Sequence, residues 1–254
     1  MGFYDLSKEE RVNVVARIEK DILSGIEKNL PEKIILYFSD DDTYIRKSAY
    51  IATGRIYSRE KKLRKKMITL LNELFTEDDF RIRQTVVNTA GEIGIKEFGP
   101  VEHFFEKGLF DEHHSIRNAV IGSIKKAGAK NPKPVFRWAK KYLHHPDKEV
   151  RREICHGIEL RGRKFPQDIL PMLRELEFDK TARVRKTLVH VLGQIAYKKG
   201  CLETVIADLK TWKNKELVAE AIEEIIDVHE RYRNFSAMTQ KEAVAFIRKN
   251  HNSG

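Results

Sequence analysis

An all-α fold built from stacked helix pairs is predicted by three features of the sequence. An aliphatic residue followed by arginine recurs at near-constant spacing, and the apolar residues after each occurrence follow helical periodicity. No segment shows the apolar-polar alternation around Gly-Asn turns that strands and hairpins require.

The recurring pairs are Ile45-Arg46, Ile82-Arg83, Ile116-Arg117, Val150-Arg151 and Val184-Arg185, spaced 37, 34, 34 and 34 residues apart. Five residues before the aliphatic member stand Asp40, Glu77, Asp111, His145 and Asp179, at the expected turn between two helices. After each pair a second helix is expected, as in Val184, Leu188, Val191, Leu192 and Ile195. The first helices precede the turns, in segments such as "EKIILYFS", "LRKKMITLLNELF", "KPVFRWAKKYL" and "DILPMLRELEF". Stop signals fall at Gly99-Pro100, Gly128, Asn131-Pro132 and Phe165-Pro166, and Pro132 and Pro146 suit a first helical turn.

A two-helix unit can bury its apolar stripe only against its neighbours, so the expectation is an α-solenoid of about six helix pairs. The whole chain, 1–254, reads as one repeat domain. It comprises an N-terminal cap helix within 1–28, repeats over 29–230 and a C-terminal helix at 236–250. Both terminal helices open with capping-box residues, Ser7 with Glu10 and Thr239 with Glu242.

Composition narrows the function classes. The chain carries 41% hydrophobic and 34% charged residues, so it is globular with a strongly solvated surface. Its formal net charge is +10, which favours anionic partners through the long-range field. No apolar run approaches the roughly 20 residues of a membrane span, and "MGFYDLSKEE" lacks the basic then apolar start of a secretory signal. Cys155 and Cys201 show neither a disulfide pattern nor a zinc-ligand spacing, so a cytoplasmic protein without a membrane partner is expected.

The period, the acidic turn residue and the aliphatic-arginine pair together resemble the HEAT-repeat family over about residues 29 to 230. A narrower resemblance covers about residues 135 to 215, in "EVRREICHGIELRGRKFPQDILPMLRELEFDKTARVRKTLVHVLGQI". This stretch is similar to the AlkC/AlkD superfamily of bacterial alkylpurine DNA glycosylases, especially the AlkC-like branch. The resemblance implies a DNA-binding concave face and keeps the family's glycine as Gly157. It also puts His156 where the family has its catalytic glutamate, Lys164 at the tryptophan and Gln194 at the aspartate. Carboxylates stabilise the positive charge that builds on deoxyribose as an alkylated base leaves, and neither replacement supplies a fixed negative charge.

Positions two and six after each aliphatic anchor are expected on the inner face. They read Lys47, Gln84, Asn118, Arg152 and Lys186, then Ile51, Asn88, Gly122, His156 and His190. The first set is rich in hydrogen-bond donors and contains no acid, as a surface that follows a phosphate backbone requires. Arg161, Arg163, Lys164 and Gln194 extend this candidate nucleic-acid interface. The anchor arginines are assigned instead to a structural ladder with the turn acids. Glu153 and Glu159 flank His156, and these three are the candidate catalytic residues if the chain excises bases. His113, His114, His144, His145 and Asp147 lack a shared ligand spacing, because neighbouring repeats stand about 10 Å apart, so no metal and no cofactor is expected. Trp138 and Trp212 read as core.

Three functions follow from these residues: a basic groove holding nucleic acid, duplex DNA foremost; an alkylpurine DNA glycosylase; and a protein-interaction scaffold for an acidic partner. The oligomeric state is not encoded in any of these features.

Overall fold

The computed structural model describes residues 2–251, and every regular element among them is helical. The protein is an α-solenoid of helix pairs with a helix at each end. Its contacts form two compact units, Met1–Ala127 and Gly128–Gly254.

The first unit begins with α1 (Lys8–Lys28). Ser7 Oγ accepts the Glu10 N–H at 3.2 Å and Glu10 Oε2 accepts the Ser7 N–H at 2.7 Å, so the capping box read from the sequence is formed. The helix stops at Asn29, whose φ of 56° is a left-handed cap that asparagine tolerates. Three pairs follow: α2 (Glu32–Phe38) with α3 (Thr43–Arg59), α4 (Arg64–Leu74) with α5 (Phe80–Gly94), and α6 (Glu102–Gly108) with α7 (His114–Lys130). Helix α3 packs against both α1 and α5. Phe38, Met67, Phe104 and Phe105 are fully enclosed in this unit's core.

In the second unit α8 (Pro132–Lys140) pairs with α9 (Lys148–Gly157), which is followed after a break by the single turn α10 (Glu159–Gly162). Next come α11 (Leu170–Arg174) with α12 (Ala182–Ala196), then α13 (Leu202–Leu209) with α14 (Lys215–Arg231), and finally α15 (Gln240–His251). The Thr239–Glu242 capping box opens α15, which packs on α13 and α14. Trp138 and Trp212 are each 1% exposed, core residues as their helical spacing predicts.

The turns repeat an atomic pattern. At four of the five anchors the residue five before accepts the N–H two residues later: Asp40 from Asp42, Asp111 from His113, His145 from Asp147 and Asp179 from Thr181. His145 does with Nδ1 what an aspartate oxygen does elsewhere, which explains a histidine in an acidic series. Asp42, Asp79 and Asp147 in turn cap the second helices by accepting from Tyr44, Arg81 and Glu149. Because Asp147 is the cap, Pro146 stands before the helix and not in its first turn, a correction to the sequence reading; its carbonyl accepts from Arg151. None of the described helices is long and apolar enough to cross a membrane.

Candidate nucleic-acid interface

Four of the five anchor arginines bridge the carbonyls of their own turns, and two of these also pair with the turn acid of the next repeat. Arg83 bonds both carboxylate oxygens of Asp111 at 3.0 and 3.2 Å, and Arg151 bonds both of Asp179 at 2.6 and 3.2 Å. The same guanidinium groups bridge two carbonyls of the preceding turn: Glu77 and Asp78 for Arg83, His145 and Pro146 for Arg151. Arg46 and Arg117 repeat this bridge, and so satisfy carbonyls beyond the end of the first helix that would otherwise lack donors. Arg185 differs, reaching Glu216 and Glu220 on α14. The ladder is structural, so anion contacts must come from other positions.

Those positions come together in the second unit where α9 and α12 pack side by side. The 34-residue period puts Arg152 and Lys186 in one register, and His156 and His190 one helical turn further on. The two imidazole rings meet edge to face, with centroids 5.8 Å apart. Arg152 bonds Glu149 at 2.9 Å and Glu153 at 3.4 Å. Arg163 bonds one oxygen of Glu159 through Nε and Nη2, and its Nη2 also donates to Gln194 Oε1 at 2.9 Å. The other oxygen of Glu159 lies 3.3 Å from His156 Nε2, three residues earlier.

Glu159 occupies an unusual place in the repeat. Nine residues after the anchor stand Gly54, Gly91 and Gly193, where a Cβ would run into Glu92, Ser123 and Glu224 of the next second helix. In the fourth repeat this close-approach position is Glu159, and the helix breaks at Ile158, which separates α9 from α10. The outcome is a carboxylate only 1% exposed, with Glu153 beside the same face at 4%.

The remaining candidates are distributed as follows. Lys164 and Lys186 are exposed, whereas Arg161 is half-buried, bonded to Asp168 at 2.7 Å and stacked on Phe165. Gln194 is 3% exposed, so it lies beneath the surface it was expected to line, and its Nε2 is buried without an acceptor. In the first unit Lys47, Gln84 and Asn88 share the wall of a depression of about 290 Å³ with Thr43, Tyr44, Arg46 and Tyr50. Gln84 donates to the Ser115 carbonyl at 3.3 Å, and Asn118 is exposed on α7. The first-unit candidates thus converge on one face of α3 and α5, with Asn118 on the next second helix.

The histidine pairs dismissed as ligands have other tasks: His113 stacks on Phe80 at 3.9 Å and His144 Nε2 sits 2.8 Å from Glu175. Sequence reasoning did not foresee that His156, Glu159 and His190 would bring ligand atoms within 4.8 Å of one another. The available signal was the 34-residue separation of two histidines at the same repeat position.

Charge is unevenly divided. Residues 1–127 carry 22 Lys and Arg against 21 Asp and Glu, while residues 128–254 carry 26 against 17. Nearly all of the basic excess therefore belongs to the unit that holds the α9–α12 face.

Stacked helix pairs with capped turns and a bridging arginine define a helical-repeat protein. Residues 136–226 match the family model for HEAT repeats. No curated protein is similar enough in sequence to count as a relative. Among solved structures, the chain is similar to smu.31 from Streptococcus mutans UA159, with 18% identity over 82% of this chain and 95% of that one and a TM-score of 0.48. It is also similar to AlkD2 from Streptococcus mutans, with 17% identity, the same two coverages and a TM-score of 0.49. A structure of crescerin, described as using a TOG domain array to regulate microtubules in the primary cilium, is 18% identical. That match covers 77% of this chain and 89% of that one, with a TM-score of 0.50, a likeness of fold.

Proposed function

We propose that the protein binds nucleic acid, duplex DNA foremost, through phosphate contacts made by the α9–α12 face of the second unit. The observation that carries this reading is the confinement of the basic excess to residues 128–254, together with exposed Lys164 and Lys186 beside that face. Arg152, Arg161 and Arg163 are each oriented by a carboxylate, which lowers the entropy lost when their remaining donors meet a phosphate. Contacts of this kind position a duplex without reading its sequence. The Lys47, Gln84, Asn88 and Asn118 positions of the first unit offer donors of the same kind.

Burial of the acids favours binding over base excision. Glu153 and Glu159 would have to approach the deoxyribose, yet both are enclosed and both carry an arginine. The test is fluorescence anisotropy on a labelled duplex with a Lys164→Gln, Lys186→Gln variant. Losing two phosphate contacts reduces the slope of log affinity against log salt by about 2. A control carrying Lys61→Gln and Lys62→Gln, exposed in the first unit, keeps wild-type affinity. Equal affinity of wild type and the Lys164, Lys186 variant would remove this face as the binding site, and saturable capture of an acidic protein with no DNA affinity would support the scaffold reading instead.

A further inference from the structure

The cluster where the fourth and fifth repeats meet has a chemistry that phosphate binding does not use. We infer that His156, Glu159 and His190 form a binding site for a divalent transition metal of the zinc type. The inference is independent of the nucleic-acid reading.

Three observations carry it. The donor set is two imidazoles and one carboxylate, which zinc accepts with a fourth position left for water or another ligand. Their ligand atoms fall within 4.8 Å of one another, and His156 Nε2 to Glu159 Oε2 is already 3.3 Å. Tetrahedral bonds of about 2.1 Å put ligand atoms about 3.4 Å apart, so that edge is formed and only His190 has to close in. The His190 side chain is 42% exposed, whereas Glu159 is enclosed at 1%, so His190 is the ligand that moves.

The surroundings supply the outer contacts that such a site needs. Arg163 occupies the Glu159 oxygen facing away from His156, which leaves the other oxygen as a single ligand atom. Glu224 Oε1 lies 3.9 Å from His190 Nδ1, placing a carboxylate beside the second imidazole, as the outer contacts of metal-bound histidines commonly do. Around the cluster Glu149, Glu153, Glu159 and Glu224 meet Arg152, Arg163, Arg183 and Arg231, so each nearby guanidinium already carries a carboxylate. The repeat itself built the site: both histidines hold the same position in successive second helices, and the acid stands where three other repeats have glycine.

The experiment is isothermal titration of the full, metal-stripped chain with Zn²⁺, paired with the visible spectrum after Co²⁺ addition. One equivalent should bind, with Co²⁺ giving the intense visible bands of a four-coordinate site. A His156→Ala, His190→Ala variant should lose that equivalent and those bands. Both side chains are partly exposed, so the variant keeps its fold, and an unchanged circular dichroism spectrum verifies that. A His113→Ala, His114→Ala variant should bind as wild type does. Absence of a stoichiometric Zn²⁺ site in the wild type, or equal binding by the His156, His190 variant, overturns the inference and leaves the cluster as a hydrogen-bonded ion pair.

Discussion

Replacing Arg151 by methionine is expected to destabilise the second unit far more than the same change at Arg185. Arg151 makes five hydrogen bonds, two to Asp179, two to the carbonyls of His145 and Pro146, and one to Thr181 Oγ1. The side chains of Arg151 and Asp179 are 15% and 7% exposed, so the change leaves an enclosed carboxylate without its cation. Breaking a buried pair from one side costs about 3–5 kcal/mol, and the residual exposure puts this case near 3. Arg185 pairs with Glu216 and Glu220, whose side chains are 77% and 44% exposed, so its loss costs under about 1 kcal/mol. The assay is urea unfolding followed by circular dichroism. The acid limb gives an independent check. Burial by itself would raise the Asp179 pKa, but hydrogen bonds from the Arg151 side chain and the Thr181 backbone outweigh it and hold the group below its ordinary value. A depressed folded pKa contributes stability above the unfolded value near 3.9 that is lost as pH falls through the folded value. The wild type should therefore lose stability below about pH 4 more steeply than the Arg151→Met variant. Equal costs for the two arginine changes, or parallel acid limbs, would refute the ladder as a buried structural element.

Further outcomes follow from the same packing. Gly162→Ala drives a methyl into Ile169 and to 2.8 Å from Ile195 Cγ2, and thermal unfolding should show a loss of about 1–3 kcal/mol. Burial, with the charges of Glu159 and Asp179 nearby, pushes the Cys155 thiol up, so a disulfide reagent should leave it unmodified in the folded chain and react once urea unfolds it. Burial also holds His229 below its ordinary imidazole value, against a weaker opposing effect of its bond to the Ile225 carbonyl. The unfolded chain then binds the proton first, so stability should fall as pH drops below about 6.5, and a His229→Gln variant should lack that slope in denaturation midpoints measured from pH 7 to 5.

The periodic part of the fold was legible because each repeat restates it. Anchor pairs, turn residues, capping boxes at Ser7 and Thr239 and the buried tryptophans all follow from spacing and local chemistry. The site was less legible because it depends on departures from the period. Gln194 looked like a lining residue by its place in a family pattern, yet it lies among Val191, Leu192, Ile195 and Ala196, all buried, which was the sequence's own sign of enclosure. Glu159 could be matched to the face of His156 by helical step. Its burial could not be read the same way, because it depends on how closely α12 approaches and on a helix break that no proline announces. The histidine pair escaped notice for a geometric reason: helix axes about 10 Å apart exclude shared ligands between backbones, but two imidazoles reaching toward each other close most of that gap.

The central claim is that the basic second unit holds a phosphate backbone, and it is tested most directly by titrating a labelled DNA duplex with the purified chain at a series of salt concentrations. The account predicts saturable binding whose logarithm falls linearly with log salt, with a slope matching several neutralised phosphates. Affinity that is absent at low salt, or that does not change with salt, would contradict it.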